Sequence, residues 1–185
     1  VAGESLNLTA HLRGAGASLD ANAPPLQDAP PGIAMLLPGG ALCNDASLEP
    51  DKDASDGYHA VGDPTEAAMV IVAARMGMWK PEMEQLMPRV AEAPFTSERK
   101  RMTTVHRLPE ERNCASQGAV ERLAANLPPT PLVASAKGSV DGLVGVCDRV
   151  WNHGRMEPLD DQWRRRLATA NDHLAQEGMR VLGVA

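Results

Sequence analysis

Residues 89–107, RVAEAPFTSERKRMTTVHR, limit the fold of this chain more than any other stretch. "RVAEAPF" and "RKRMTTVHRL" read as two strands joined by a charged turn, a β-hairpin. Period-two alternation in the second strand puts Lys100, Met102, Thr104 and His106 on one face. Arg101, Thr103, Val105 and Arg107 lie on the other. The stretch also holds the only phenylalanine of the chain, Phe95, just before the dense charges Glu98-Arg99-Lys100-Arg101. A ring at a strand end can stack on a flat base, with cations at hand for an anion. It can equally be a core ring beside a solvated turn, and the residues alone leave both readings open.

The flanking segments alternate between helix and strand signals. "GDPTEAAMVIVAARMG" (62–77) is a strong helix, with Asp63 as N-cap, Pro64 in the first turn and Gly77 as the stop. Glu66, three residues after Asp63, is close to a capping box. "KPEMEQLM" is a second short helix. "TPLVASAKG" is a third strand, and "SVDGLVGVCDRVW" a helix capped by Ser139. "LDDQWRRRLATANDHLAQEG" is a long amphipathic helix stopped at Gly178, and "RVLGVA" a final strand. "IAMLLPGGALCNDA" reads as apolar helix, interrupted or ended at Pro38-Gly39-Gly40. "SLEPDKDASDGYHAV" reads as a polar loop, and the first 30 residues as a short strand or two and then loop. Together these predict an α+β domain with a mainly antiparallel sheet.

Composition bounds the core and the partners. The 185 residues suffice for one domain. Aromatics are only 3%, so the core has to be mostly Ala, Val, Leu and Met; Trp79, Trp151 and Trp163 read as partly buried packing residues. A net charge of −6 gives no general attraction to nucleic acid or to an anionic membrane. No apolar run reaches the roughly 18–20 residues that span a bilayer. The three cysteines, Cys43, Cys114 and Cys147, show neither metal-ligand spacing nor a disulfide framework, as suits a reducing cytosol. The five histidines form no HExxH cluster, so no metal site is read.

Other candidates each have an ordinary reading. Glu66 can accept from an exocyclic amine, or simply belong to a helix cap. Lys137-Gly138-Ser139 stands at a strand-to-helix junction suited to an anion, or is a tight turn with a surface Lys. It is not a Walker loop, because G-x-x-x-x-G-K-[ST] is absent. Arg180 taken alone is a surface Arg. No Ser-His-Asp or Cys-His order marks a catalytic set.

The order of the motifs says more than any one of them. "ALCNDA" (41–46), "GDPTEAAM" (62–69), the Phe95 stretch, "AKGSVDGLVGVCDRVW" (136–151) and "EGMRVLGVA" (177–185) strongly resemble the nucleotide-binding domain of P-type cation-transporting ATPases, in the calcium-pump-like (type II) group. The opening "VAGESLNLTAHLRG" looks like the first strand pair of that domain, so the resemblance covers nearly the whole chain. "AGES" is a decoy for the TGES dephosphorylation loop, which in that family belongs to another domain.

The resemblance implies one nucleotide-binding domain over residues 1–185, an α+β fold with a twisted, mainly antiparallel sheet flanked by helices, excised from a longer membrane pump and lying on the cytoplasmic side. As an isolated piece it is expected to be a soluble monomer that does not insert into the membrane. It implies ATP as ligand, with Mg²⁺ carried on the nucleotide, and the phosphorylation and actuator domains as partners. Phe95 matches the adenine-stacking ring. Glu66 matches the acid near the adenine amine, with Thr65 beside it. Lys100 and Met102 match pocket-lining residues, and Lys137 and Gly138 the Lys-Gly pair at the pocket floor. Arg180 matches an arginine reaching toward the phosphates, with Leu182 nearby. Two positions depart: Ser97 stands where animal calcium pumps have a phosphate-contacting arginine, and Ser139 replaces an Ala. Arg99 or Arg101 is a candidate substitute. The D-K-T-G-T phosphorylation motif is absent, so the chain is expected to bind ATP and not to hydrolyse it, with no catalytic residue and no metal ligand of its own. The alternative is an interaction domain of the same ancestry that has lost ATP.

Overall fold

The computed structural model describes residues 31–52, 57–110, 130–153 and 155–185. The expected strands within residues 1–30 lie outside this set. The described elements run α1 (Pro31–Leu42), β1 (Ser47–Pro50), β2 (Tyr58–Val61), α2 (Pro64–Arg75), α3 (Lys80–Leu86), β3 (Arg89–Thr96) and β4 (Arg101–Arg107). They continue with β5 (Leu132–Gly138), α4 (Val140–Val144), β6 (Arg149–Asn152), β7 (Arg155–Pro158), α5 (Asp161–Gln176) and β8 (Gly183–Val184). The main sheet has the order β3-β4-β5-β8, antiparallel throughout, and β1-β2 and β6-β7 form two separate hairpins. This is the expected α+β architecture. Among the described residues no helix is long and apolar enough to cross a membrane.

The expected alternation holds in β4. Met102, Thr104 and His106 are buried, whereas Arg101, Thr103 and Val105 are half-buried and Arg107 is exposed. The buried face carries the helix layer. Its core is Ala41, Leu42, Ala73, Met78, Met83, Met87 and Leu108, with Ala46, Ala67 and Val70 as a second cluster. Methionine does the filling that aromatics do elsewhere, since its flexible thioether adapts to irregular gaps.

Helix α2 starts and stops where its sequence says. The Asp63 carboxylate accepts from the N–H groups of Thr65 (2.8 Å) and Glu66 (3.3 Å). Gly77 takes φ +76°, which costs glycine nothing and a side-chain-bearing residue about 1 kcal/mol or more. Helix α5 is capped by Asp160, which accepts from Trp163 N–H.

Three expectations are corrected. Helix α1 runs unbroken through Pro38, a fully buried residue. The proline forfeits one backbone hydrogen bond, worth about 1 kcal/mol. Packing against α2, α3, β5 and β8 outweighs that loss. The "polar loop" after α1 contains the β1–β2 hairpin, with Leu48 packed on the Ala46 cluster and Tyr58 against Trp79 (ring centroids 5.1 Å apart). The helix after Ser139 is short: it ends at Val144, and Arg149–Asn152 turns into a strand paired with β7.

Gly138 is the tightest point of the sheet. A Cβ placed there would press on the Lys100 carbonyl oxygen and stand 2.7 Å from Arg101 Cβ. Both are parts of β4 and its turn, so neither can yield cheaply. Gly138→Ala is therefore expected to cost about 1–3 kcal/mol, read as a lower midpoint in urea denaturation.

Candidate functional site

The end of the main sheet near the β3–β4 turn gathers most of the predicted residues. Ala93 faces Thr103 and Thr96 faces Arg101, so Pro94 and Phe95 together oppose the single residue Met102. This is a β-bulge, the device that re-aims a side chain at a strand end. Met102 is in register with Lys137, and Lys137 with Val184. One row across the sheet thus runs from the bulge through Met102 and Lys137. Phe95 is 60% exposed, so it is not a core ring. Met102 is 2% exposed and Lys137 6%.

A buried ammonium needs a partner. The Lys137 Nζ donates to Glu66 Oε1 at 2.5 Å across 71 residues of sequence. The other carboxylate oxygen, Oε2, accepts the N–H of Asp45 at 3.0 Å. Glu66 therefore does not close a capping box onto Asp63. Its carboxylate turns away from its own helix to the sheet, because the buried Lys137 attracts it more than a backbone N–H that Asp63 leaves in water. Each oxygen keeps a second lone pair for an incoming donor.

The remaining predicted residues divide. Thr65, half-buried, sits beside Glu66 in the first turn of α2. Arg180 is exposed and belongs to the same end of α2. Bonds from Thr65 and Glu66 N–H hold the Asp63 carboxyl below its usual range, and the charge of Arg180 adds to this. Lys100 is not on the strand face expected for it. It occupies the turn with φ +52°, its N–H donating to Thr96 O (2.8 Å) and its carbonyl accepting from Ser139 N–H (3.0 Å). The turn closes before strand pairing resumes at Arg101, which puts the Lys100 side chain in solvent. Leu182 is half-buried and lines an apolar cleft with Val140, Leu143 and Leu167, on the side of α4 and α5.

The two departures also find places. Ser139 accepts from Gly142 N–H at 3.2 Å and caps α4. Ser97 is exposed in the turn. Arg99 folds back on its own hairpin, donating to Pro94 O and to the Thr96 hydroxyl (3.3 Å), so it braces the bulge. Arg101 donates to the Arg99 carbonyl at 3.3 Å.

Sequence reading missed the polar network behind Glu66. Asn44 is fully buried; its Nδ2 donates to Glu66 O (3.0 Å) and Gly40 O (3.3 Å), and its Oδ1 accepts from Ala46 N–H (2.8 Å). Lys80, 8% exposed, donates to Asn44 O (2.6 Å) and Ala46 O (2.8 Å). Burial pushes its ammonium below the usual lysine range. The one available signal was "CND" directly after an apolar helix.

His106 is buried beside this network. Its Nδ1–H donates to Met87 O (2.9 Å), and its Nε2 accepts from the Thr104 hydroxyl (2.9 Å). Burial pushes the imidazole below its ordinary 6.5, and the nearby Arg89 and Lys80 charges act in the same direction against Met87 O and Glu84. Between the folded value and 6.5 the unfolded chain binds more protons. Stability should therefore fall as pH drops below about 6.5 and level off below the folded value. Urea midpoints taken in steps through this range should show the loss, and His106→Gln should flatten it.

The sheet end of this α+β domain thus presents an exposed ring and a buried lysine–carboxylate pair. Residues 33–185 match the family described as P-type ATPase, cytoplasmic domain N, and the chain belongs to that family. It is 28% identical over 151 residues to "Calcium-transporting ATPase 1" of Bacillus cereus, which covers 82% of this chain and 14% of that protein. It is 35% identical over 147 residues to "Probable cation-transporting ATPase F" of Mycobacterium bovis, covering 79% and 13%. With "Calcium-transporting ATPase type 2C member 1" of Homo sapiens it shares 26% over 157 residues, covering 84% and 14%. These relatives define a calcium-pump-like group. The chain spans about one seventh of the length of the first two.

Proposed function

We propose that this chain is the single ATP-docking domain of a cation pump and lies on the cytoplasmic side of the membrane. The adenine stacks on Phe95, and its amine donates to Glu66 above the Lys137–Met102 floor. The observation that carries this reading is the row from the bulge through Met102 to Lys137, closed by Glu66. An exposed ring stands at its open end, and an acceptor is paired with a donor at its floor. Arg180, near the start of α2, is the cation available to the phosphates, and Mg²⁺ travels with them.

Phosphoryl transfer depends mainly on positioning and charge stabilisation. This domain supplies the first by holding the base. Domain closure then brings the γ-phosphate to an aspartate on the phosphorylation domain, and ion transport follows with the actuator domain. The isolated chain should bind ATP without hydrolysing it. Affinity need only be modest, with a Kd of roughly 0.1 mM to a few mM.

An NMR titration with ATP, AMP and GTP tests this. Saturable shifts at Glu66, Phe95, Lys100, Lys137 and Arg180, larger for adenine than for guanine nucleotides, are expected. No shift at several millimolar ATP would favour the interaction-domain reading, for which Ser97, in place of a phosphate-contacting arginine, and Ser139, in place of an Ala, are the supporting features.

A further inference from the structure

Arg89 has no part in the reading above, yet its side chain makes four hydrogen bonds around the frame of the site. It opens β3, the strand that carries Phe95 next to its end. Its Nη2 donates to the carbonyls of Leu42 (3.2 Å) and Asn44 (2.7 Å), just past the C-terminus of α1. Its Nη1 donates to Asp45 Oδ1 and Glu92 Oε2, both at 2.9 Å. The side chain is only 21% exposed. The turn it grips is the one whose Asp45 N–H holds Glu66 Oε2 and whose Asn44 holds Glu66 O.

We propose that Arg89 is a positioning residue for the nucleotide site: it locks the 43–46 turn to the Phe95 strand and so sets the Glu66 carboxylate relative to the stacking ring. This rests on the reading of Phe95 and Glu66 as adenine contacts. The chemistry requires arginine. Its planar fork reaches two carbonyls on one nitrogen and two carboxylates on the other, whereas an ammonium is a single point. Lys80, at the start of α3, already shares Asn44 O with Arg89, and a single ammonium at 89 could not hold Leu42 O, Asp45 and Glu92 together. The coupling is contiguous: Arg89 to Asp45, Asp45 to Glu66, Glu66 to Lys137, and Lys137 across the sheet to Met102 opposite the bulge.

The test uses Arg89→Lys in the 185-residue chain. Three quantities are followed: ATP affinity, the Asp45 amide resonance and the Glu66 carboxylate ¹³C resonance. We expect about a tenfold loss of ATP affinity, with both resonances displaced. Glu92→Ala, which removes a partner of Arg89 outside the turn, should leave affinity within about twofold. If Arg89→Lys does not fold, Asp45→Ala carries the test. That side chain is 66% exposed; its removal takes the carboxylate hold of Arg89 on the turn and leaves the two carbonyl holds and the residue-45 N–H, so it should weaken ATP about threefold. A folded Arg89→Lys with unchanged affinity and unmoved resonances overturns the proposal. Should the unaltered chain itself bind no ATP, the nucleotide reading fails separately. The two resonances then decide alone: displaced, Arg89 sets the carboxylate; unmoved, it does not.

Discussion

Glu66→Ala is expected to lower the unfolding free energy by about 3 kcal/mol and Tm by roughly 6–12 °C. The Lys137 side chain is 7% exposed and that of Glu66 21%, so water screens little of their attraction. Removing the carboxylate strands a buried ammonium and also takes the acceptor from Asp45 N–H. Helix propensity works the other way, since Ala is the better helix former, so a loss cannot come from α2 itself. The pair as a whole is worth much less than either half alone. Replacing both partners by apolar residues of similar size, Glu66→Met with Lys137→Met, should recover most of the stability while abolishing ATP binding. Urea denaturation of Glu66→Met, Lys137→Met and the double variant closes the cycle. A loss below about 0.5 kcal/mol in Glu66→Ala would mean that the pair is solvated and does not form a pocket floor.

Phe95→Ala is expected to act on affinity and to spare the fold. A base stacked on an aromatic ring gains about 1–3 kcal/mol, which corresponds to roughly 5- to 150-fold in Kd. Against a millimolar starting affinity, the variant should show no saturation in an ATP titration. Because the ring is 60% exposed, its loss should change stability by no more than about 0.5 kcal/mol. The combination separates the two readings left open by the residues: a core ring would cost several kcal/mol of stability and leave binding alone. Phe95→Trp, which keeps a flat face, should retain binding. A folded Phe95→Ala with undiminished affinity would remove stacking from the mechanism.

The elements that were legible are those with local causes. Asp63, Pro64 and Gly77 mark α2 through caps and backbone preferences that act within a few residues. The β3–β4 hairpin declares itself through alternation around a charged turn. Elements whose stability comes from distant partners were misread. Helix α1 survives Pro38 only because α2, α3 and the sheet enclose it. The β1–β2 hairpin needs the Ala46–Ala67–Val70 cluster to pack on, and its own residues look like loop.

At the site the division is the same. The resemblance carried by the order of the motifs singled out Phe95, Glu66, Lys137 and Gly138, and the family match over residues 33–185 agrees with that resemblance. The candidate side chains themselves are named by the sequence: a ring, a carboxylate, an ammonium and a glycine where no Cβ fits. Their relation was not. That Glu66 faces Lys137 instead of capping its own helix, that a bulge sets Phe95 opposite Met102, and that Arg89 clamps the turn behind them are outcomes of sheet register and of desolvation. A buried charge accepts whichever partner the packed chain brings within about 3 Å, and only the tertiary structure determines which partner that is.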